Sequence, residues 1–154
     1  MLLIFRGVYN MARVQMKKLN MAGFVVFLIT AGFTVLTLAK PSSMEVILLP
    51  FVMTLLGVFL ISIDWRAGNT KFGVFLIAVL WFCYWGLAAL SSLSLAGLAG
   101  FVAGMGHGGI EAQESARLHM YSYFGISLLF CALATANFIK FVLAILFFPK
   151  SQVN

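Results

Sequence analysis

The sequence predicts an all-α integral membrane protein of four transmembrane helices, with five as the rival count, preceded by an N-terminal amphipathic helix lying in the interface. Three observations predict it. Hydrophobic residues fill 63 % of 154 positions and charged residues 9 %, against roughly 45 to 50 % and 25 % in soluble domains. The uncharged run from Phe72 to Ile110 spans 39 residues, nearly twice the roughly 20 that one crossing needs. Three further charge-poor apolar blocks flank it, and no polar interval approaches the roughly 50 residues of a separate soluble domain. The chain therefore divides into an interfacial helix, 1–18, and one polytopic membrane domain, 19–149.

In the first segment Arg6, Asn10, Arg13 and Lys17 fall on one side of a helical wheel. Phe5, Val8, Tyr9, Ala12, Met16 and Leu19 take the other. Such a stripe predicts a helix held on anionic headgroups by Arg6, Arg13, Lys17 and Lys18. A secretory signal is the alternative, but the uncharged block that follows is long for its apolar core.

That block, Leu19 to Ala39, is the first span; Lys40-Pro41-Ser42-Ser43 ends it. Val46 to Ile63 is the second, entered past Glu45 and left at Asp64-Trp65-Arg66, where an aromatic and charges suit the headgroup level. Pro50 is expected to mark its first turn or kink it. The third span is expected over 72–95, with the surplus of the long run absorbed by an extended or re-entrant Gly-rich segment, 96–109. The rival is a tight hairpin at Ser91-Ser92, which makes the five-span version. A short polar helix follows over 110–120. The fourth span is expected over 121–139, because a lysine at mid-bilayer costs about 2.5 to 3.5 kcal/mol on insertion scales and Lys140 would instead snorkel to the surface.

Positive charge orients the chain. With four spans and both termini cytoplasmic, the inner side holds Arg6, Arg13, Lys17, Lys18, Arg66, Lys71, Lys140 and Lys150, and the outer side Lys40 and Arg117. The five-span version gives a weaker bias. The same rule applies to a bacterial inner membrane and to an organelle.

From Ala88 to Gly108, 13 of 21 residues are Gly, Ala or Ser. Ala88, Ser92, Ala96, Gly100, Gly104 and Gly108 repeat at every fourth position, a small-xxx-small ladder that lets helix backbones approach closely where lipid supplies no hydrophobic drive. It predicts packing within the chain or against another subunit. His107, Glu111, Glu114 and His119 gather in the outer loop. No further His, Asp or Cys on that face completes a coordination sphere, and the expectation is a solvated loop with no metal and no cofactor. Cys83 and Cys131 sit near the middle of apolar blocks and read as buried packing residues.

No nucleophile has a base at plausible depth, and no phosphate loop or Cys-x-x-Cys is present. The chain is expected not to be an enzyme. The loops are too short for a basic nucleic-acid surface. Small multidrug-type transporters resemble the chain in having four spans and modest length, but that family's acid lies within the first span, and Leu19 to Ala39 has none. The reading that remains is a non-catalytic subunit or assembly component whose partners are other membrane subunits and anionic phospholipid. A small oligomeric channel or transporter is the alternative. A membrane anchor of a redox complex, with His107 and His119 near a haem or quinone, is the third.

Overall fold

A computed structural model describes residues 2–38, 44–66, 71–105 and 109–147, and the described residues are almost wholly helical. Among the described residues there are four helices: α1 (Leu2–Leu38), α2 (Met44–Arg66), α3 (Lys71–Gly104) and α4 (Gly109–Phe147). Each contains a stretch long and apolar enough to cross a bilayer, over Val14–Leu36, Leu48–Arg66, Phe72–Gly104 and Gly109–Leu143. The chain has the character of a multi-pass helical membrane protein. Such segments are helical because, in lipid, every backbone N–H and C=O must find its partner within the segment.

The boundaries differ from those the charges suggest. Residues 2–18 are not set off from the first span, since α1 runs unbroken for 37 residues, about 55 Å at 1.5 Å per residue. Nor does α3 give way to an extended or re-entrant segment at residue 96. It stays helical through Ser91-Ser92 and on to Gly104, which also removes the tight hairpin of the five-span version; residues 106–108 lie outside the described ones. Likewise α4 is one helix of 39 residues that joins the expected short polar helix to the span and continues past Lys140. Helix propensity explains the merging. Charge patterns report where lipid ends, whereas a glycine costs only about 1 kcal/mol in a helix and a charged residue at a helix end costs less still.

Pro50 is the seventh residue of α2, beyond its first turn. The Thr54 hydroxyl donates to the Pro50 carbonyl at 2.7 Å. Gly109 opens α4 with φ +82°, a left-handed conformation that favours glycine.

The helices run up and down, so the start of α1 and the end of α4 share one end of the bundle. The α3–α4 pair makes the closest contact, and α1 and α2 close over it. Aromatic rings fill the interior. Trp81 stacks on Trp85 at 5.6 Å and 13°, and Trp85 stacks on Phe130 at 5.3 Å and 24°. Tyr84 meets Trp85 edge-on at 4.9 Å. Phe24 and Phe27 of α1, Met53 and Leu60 of α2, and Leu133 of α4 complete this core. Aromatic pairs in these geometries contribute about 0.5 to 1.5 kcal/mol beyond burial, and in lipid such packing, not apolar burial, holds helices together.

Candidate functional site

One turn along α1 from the aromatic core, Asn20 is 1 % exposed, and Asn137 of α4 is wholly buried. Their amides face each other. Asn137 Nδ2 donates to Asn20 Oδ1 at 2.8 Å, and Asn20 Nδ2 donates to Asn137 Oδ1 at 3.2 Å. The Trp85 indole N–H donates to the same Asn20 oxygen at 3.0 Å, while Asn137 Nδ2 also reaches the Leu133 carbonyl at 2.9 Å. Three helices are thus joined by one polar knot. An amide left unpaired in hydrocarbon costs several kcal/mol, so a reciprocal pair is the arrangement that lets both residues stay.

Lys17, one turn before Asn20, carries the knot to α2. Its ammonium lies 3.7 Å from Asp64 Oδ1 and donates to the Asp64 carbonyl oxygen at 2.5 Å. The Asp64 side chain is 6 % exposed and that of Lys17 28 %. On α4, Lys140 follows Asn137 by three residues and is 7 % exposed. Lysine, aspartate and two asparagines therefore form a belt at the end of the bundle that holds the start of α1 and the end of α4. Further hydroxyl bonds tie the helices elsewhere: Ser127 donates to the Ala89 carbonyl at 3.0 Å, and Thr34 and Tyr123 share a 3.0 Å contact between α1 and α4.

Composition signalled little of this. Asn20 and Asn137 carry no charge and leave the apolar blocks unbroken, and Asp64 sits beside Trp65 and Arg66 like a headgroup residue. The available signal was an asparagine one turn from a lysine in both the first and the last span. Lys17, expected on headgroups, lies against Asp64, and Lys18 is exposed. The side chains of Arg6 and Arg13 lie outside the described ones, although their backbone is helical.

The small-residue ladder divides. Ala88, Ser92 and Ala96 are buried, Gly100 is half-buried, Gly104 is exposed, and Gly108 lies outside the described residues. A methyl group on Gly100 would come 2.9 Å from Met120 Sδ, whereas one on Gly104 would meet nothing within 4 Å. The tight glycines are others. A Cβ on Gly57 would lie 2.1 Å from the Phe24 ring and 2.9 Å from the Tyr84 hydroxyl, and one on Gly23 would lie 2.4 Å from Leu133. Cys83 and Cys131 are exposed on the outside of the bundle instead of buried. Of the outer-loop residues, Glu111 and Glu114 are exposed and His119 is half-buried, its ring stacked on Phe33. His107 lies outside the described residues. Among the described residues no three His, Cys, Asp or Glu side chains converge as metal ligands.

No family profile matches the sequence, no curated protein matches it, and no solved structure matches it.

Proposed function

We propose that this chain is a non-catalytic component of a larger membrane assembly, acting through its outer surface. The observation that carries the reading is the contrast between a filled interior and an open exterior. Trp81, Trp85 and Phe130 are at most 1 % exposed, so rings occupy the space between the helices at that level of the bundle. On α3, by contrast, Ser94, Gly97 and Gly104 lie exposed with Leu90 and Phe101 on one side of the helix, and neither glycine has an atom within 4 Å of a built Cβ. A partner helix can approach such a surface to backbone contact. The charge asymmetry orients the assembly with both termini cytoplasmic. The basic residues near the start of the chain, Arg6, Arg13 and Lys18, suit contact with anionic headgroups.

A second reading, a small oligomeric transporter, draws on Lys17, Asp64 and Lys140, because ionisable groups held within a membrane protein commonly mark a transport path. Native mass spectrometry of the tagged chain, gently extracted from its own membrane, separates the two. Stoichiometric partner proteins are expected. Recovery as a homo-oligomer or alone would sink the assembly reading and move attention to the Lys17–Asp64 belt.

A further inference from the structure

Ser92 of α3 stands apart from the other serines and threonines inside the bundle. It is 6 % exposed, and among the described residues its hydroxyl has no hydrogen-bond partner. Thr34 and Ser127, equally buried, are both bonded. Ser91 and Ser94 beside it turn their hydroxyls back to the Leu87 and Leu90 carbonyls. An apolar interior strongly disfavours a hydroxyl left unpaired.

Ser92 lines a cavity of about 60 Å³ between α1, α2 and α3, and Leu49, Pro50 and Met53 of α2 line its other side. Pro50 creates a second unmatched group. Proline has no N–H, so the Val46 carbonyl loses its helical donor, and a proline ring sits against the carbonyl four residues before it. Half-buried Pro50 continues the inward stripe of Met53, Gly57, Leu60 and Asp64, which places the Val46 oxygen on the side of α2 that faces the bundle. The levels agree. Gly57 meets Tyr84, and in antiparallel helices Pro50, about two turns earlier, stands opposite Ser91 and Ser92, about two turns later. A donor and an acceptor without helical partners therefore flank one cavity, whose surface is chiefly apolar and gives water too few partners to hold it.

The helix is also built to bend at this point. Proline is the commonest cause of a kink, and the Thr54 hydroxyl back-bonds to the Pro50 carbonyl at 2.7 Å, a contact that itself bends helices. In lipid, a carbonyl freed by proline is commonly satisfied by a serine or threonine of a neighbouring helix. We infer that α2 hinges at Pro50, and that the segment before it closes on α3 so that the Ser92 hydroxyl donates to the Val46 carbonyl as the cavity collapses. The structure is the open arrangement. One hydrogen bond is a small net gain, so both arrangements are populated. Closure carries the exposed Leu48 and Leu49 with it, which gives the apolar surface at that end of the bundle two shapes. The inference is independent of the assembly reading and survives its failure.

The test reads the Val46 carbonyl directly. Val46-Ile47 is the sole Val-Ile step in the sequence, so the full chain in lipid nanodiscs, labelled with carbonyl-13C valine and 15N isoleucine, gives one NMR correlation for that peptide bond. Ser92→Ala is expected to move this carbonyl upfield, as loss of a hydrogen bond does, while Ser92→Thr, which keeps the hydroxyl, leaves it near the parent position. Pro50→Ala restores a helical N–H to Val46, and in that background Ser92→Ala is expected to move nothing. With serine also labelled at Cβ, closure predicts magnetisation transfer between Ser92 and the Val46 carbonyl. An unchanged carbonyl in Ser92→Ala, or an equal shift with and without Pro50, overturns the inference. A shift without transfer also overturns closure, and assigns a bridging water instead.

Discussion

Gly57 and Gly104 are the same residue type in two helices of one bundle, and they occupy opposite situations. Gly57 of α2 lies in the half of the molecule around Trp85, where the Phe24 ring and the Tyr84 hydroxyl sit closer than any side-chain carbon would allow. Gly104 ends α3 with open space beside it. One glycine exists so that the chain can pack on itself, and the other leaves room for something outside. The comparison teaches that a small residue's place in a run of small residues does not by itself say whether that position is packed. Of the described ladder residues, Ala88, Ser92 and Ala96 are buried and Gly104 is exposed, whereas Gly23 and Gly57, isolated among large side chains, leave no room for a Cβ.

Breaking the comparison at its tight end produces the largest effect. Gly57→Leu is expected to destabilise the detergent-solubilised chain by about 3 kcal/mol or to prevent folding, since overpacking typically costs 1 to 3 kcal/mol and the clash here is with buried rings. Thermal unfolding followed by size-exclusion chromatography measures it. A Gly57→Leu protein as stable as the parent would mean that α2 does not seat on Phe24 and Tyr84. Next comes the polar knot. Asn137→Leu is expected to cost about 1 to 2 kcal/mol, because it strands the Asn20 amide N–H while leaving Trp85 its acceptor. Adding Asn20→Leu is expected to cost less than the sum of the two single changes, and strict additivity would show that the amides do not pair.

Lys17→Met sharpens the comparison at the rim of the tight half. It removes the ammonium from the nearly buried Asp64 carboxylate, and a loss of about 1 kcal/mol is expected, well below that for a fully buried pair because Lys17 is partly solvated. Asp64→Asn in the same background is expected to restore most of it, as measured by the same unfolding assay. Smallest of all is Gly104→Leu in the isolated chain, below about 0.5 kcal/mol. If an assembly partner packs there, the same change abolishes its co-purification, whereas Gly104→Ala is tolerated. Equal recovery of partner with both variants would remove Gly104 from the proposed contact surface.

The sequence makes four apolar helices legible because bilayer thickness imposes a length that composition alone reveals. It does not make legible where each helix ends. Leu2–Leu38 and Gly109–Phe147 both outrun the uncharged blocks inside them, since a helix that has left the hydrocarbon has no reason to stop at a lysine. Lys140 illustrates the point: it was expected to end a span, yet α4 continues past it with the side chain nearly buried. The polar knot escaped for a different reason. Hydropathy averages over a window, and a single asparagine among leucines and phenylalanines vanishes in the mean. Pairing Asn20 with Asn137 also requires knowing that the first and last helices touch, which no local pattern conveys. Cys83 and Cys131 show the reverse error, because mid-span position in lipid implies nothing about facing inward.

The amide pair also sets a schedule. Asn20 and Asn137 are separated by 117 positions, so at synthesis rates of about 5 to 20 residues per second the first amide is made roughly 6 to 23 seconds before its partner. Trp85, which is translated between them, can satisfy the Asn20 oxygen earlier, but the Asn20 N–H has only the last helix to wait for. The nascent chain must therefore pass through a stage in which α1 carries an uncovered donor, and during that interval water at the headgroup level or a helix of the insertion machinery has to stand in for α4.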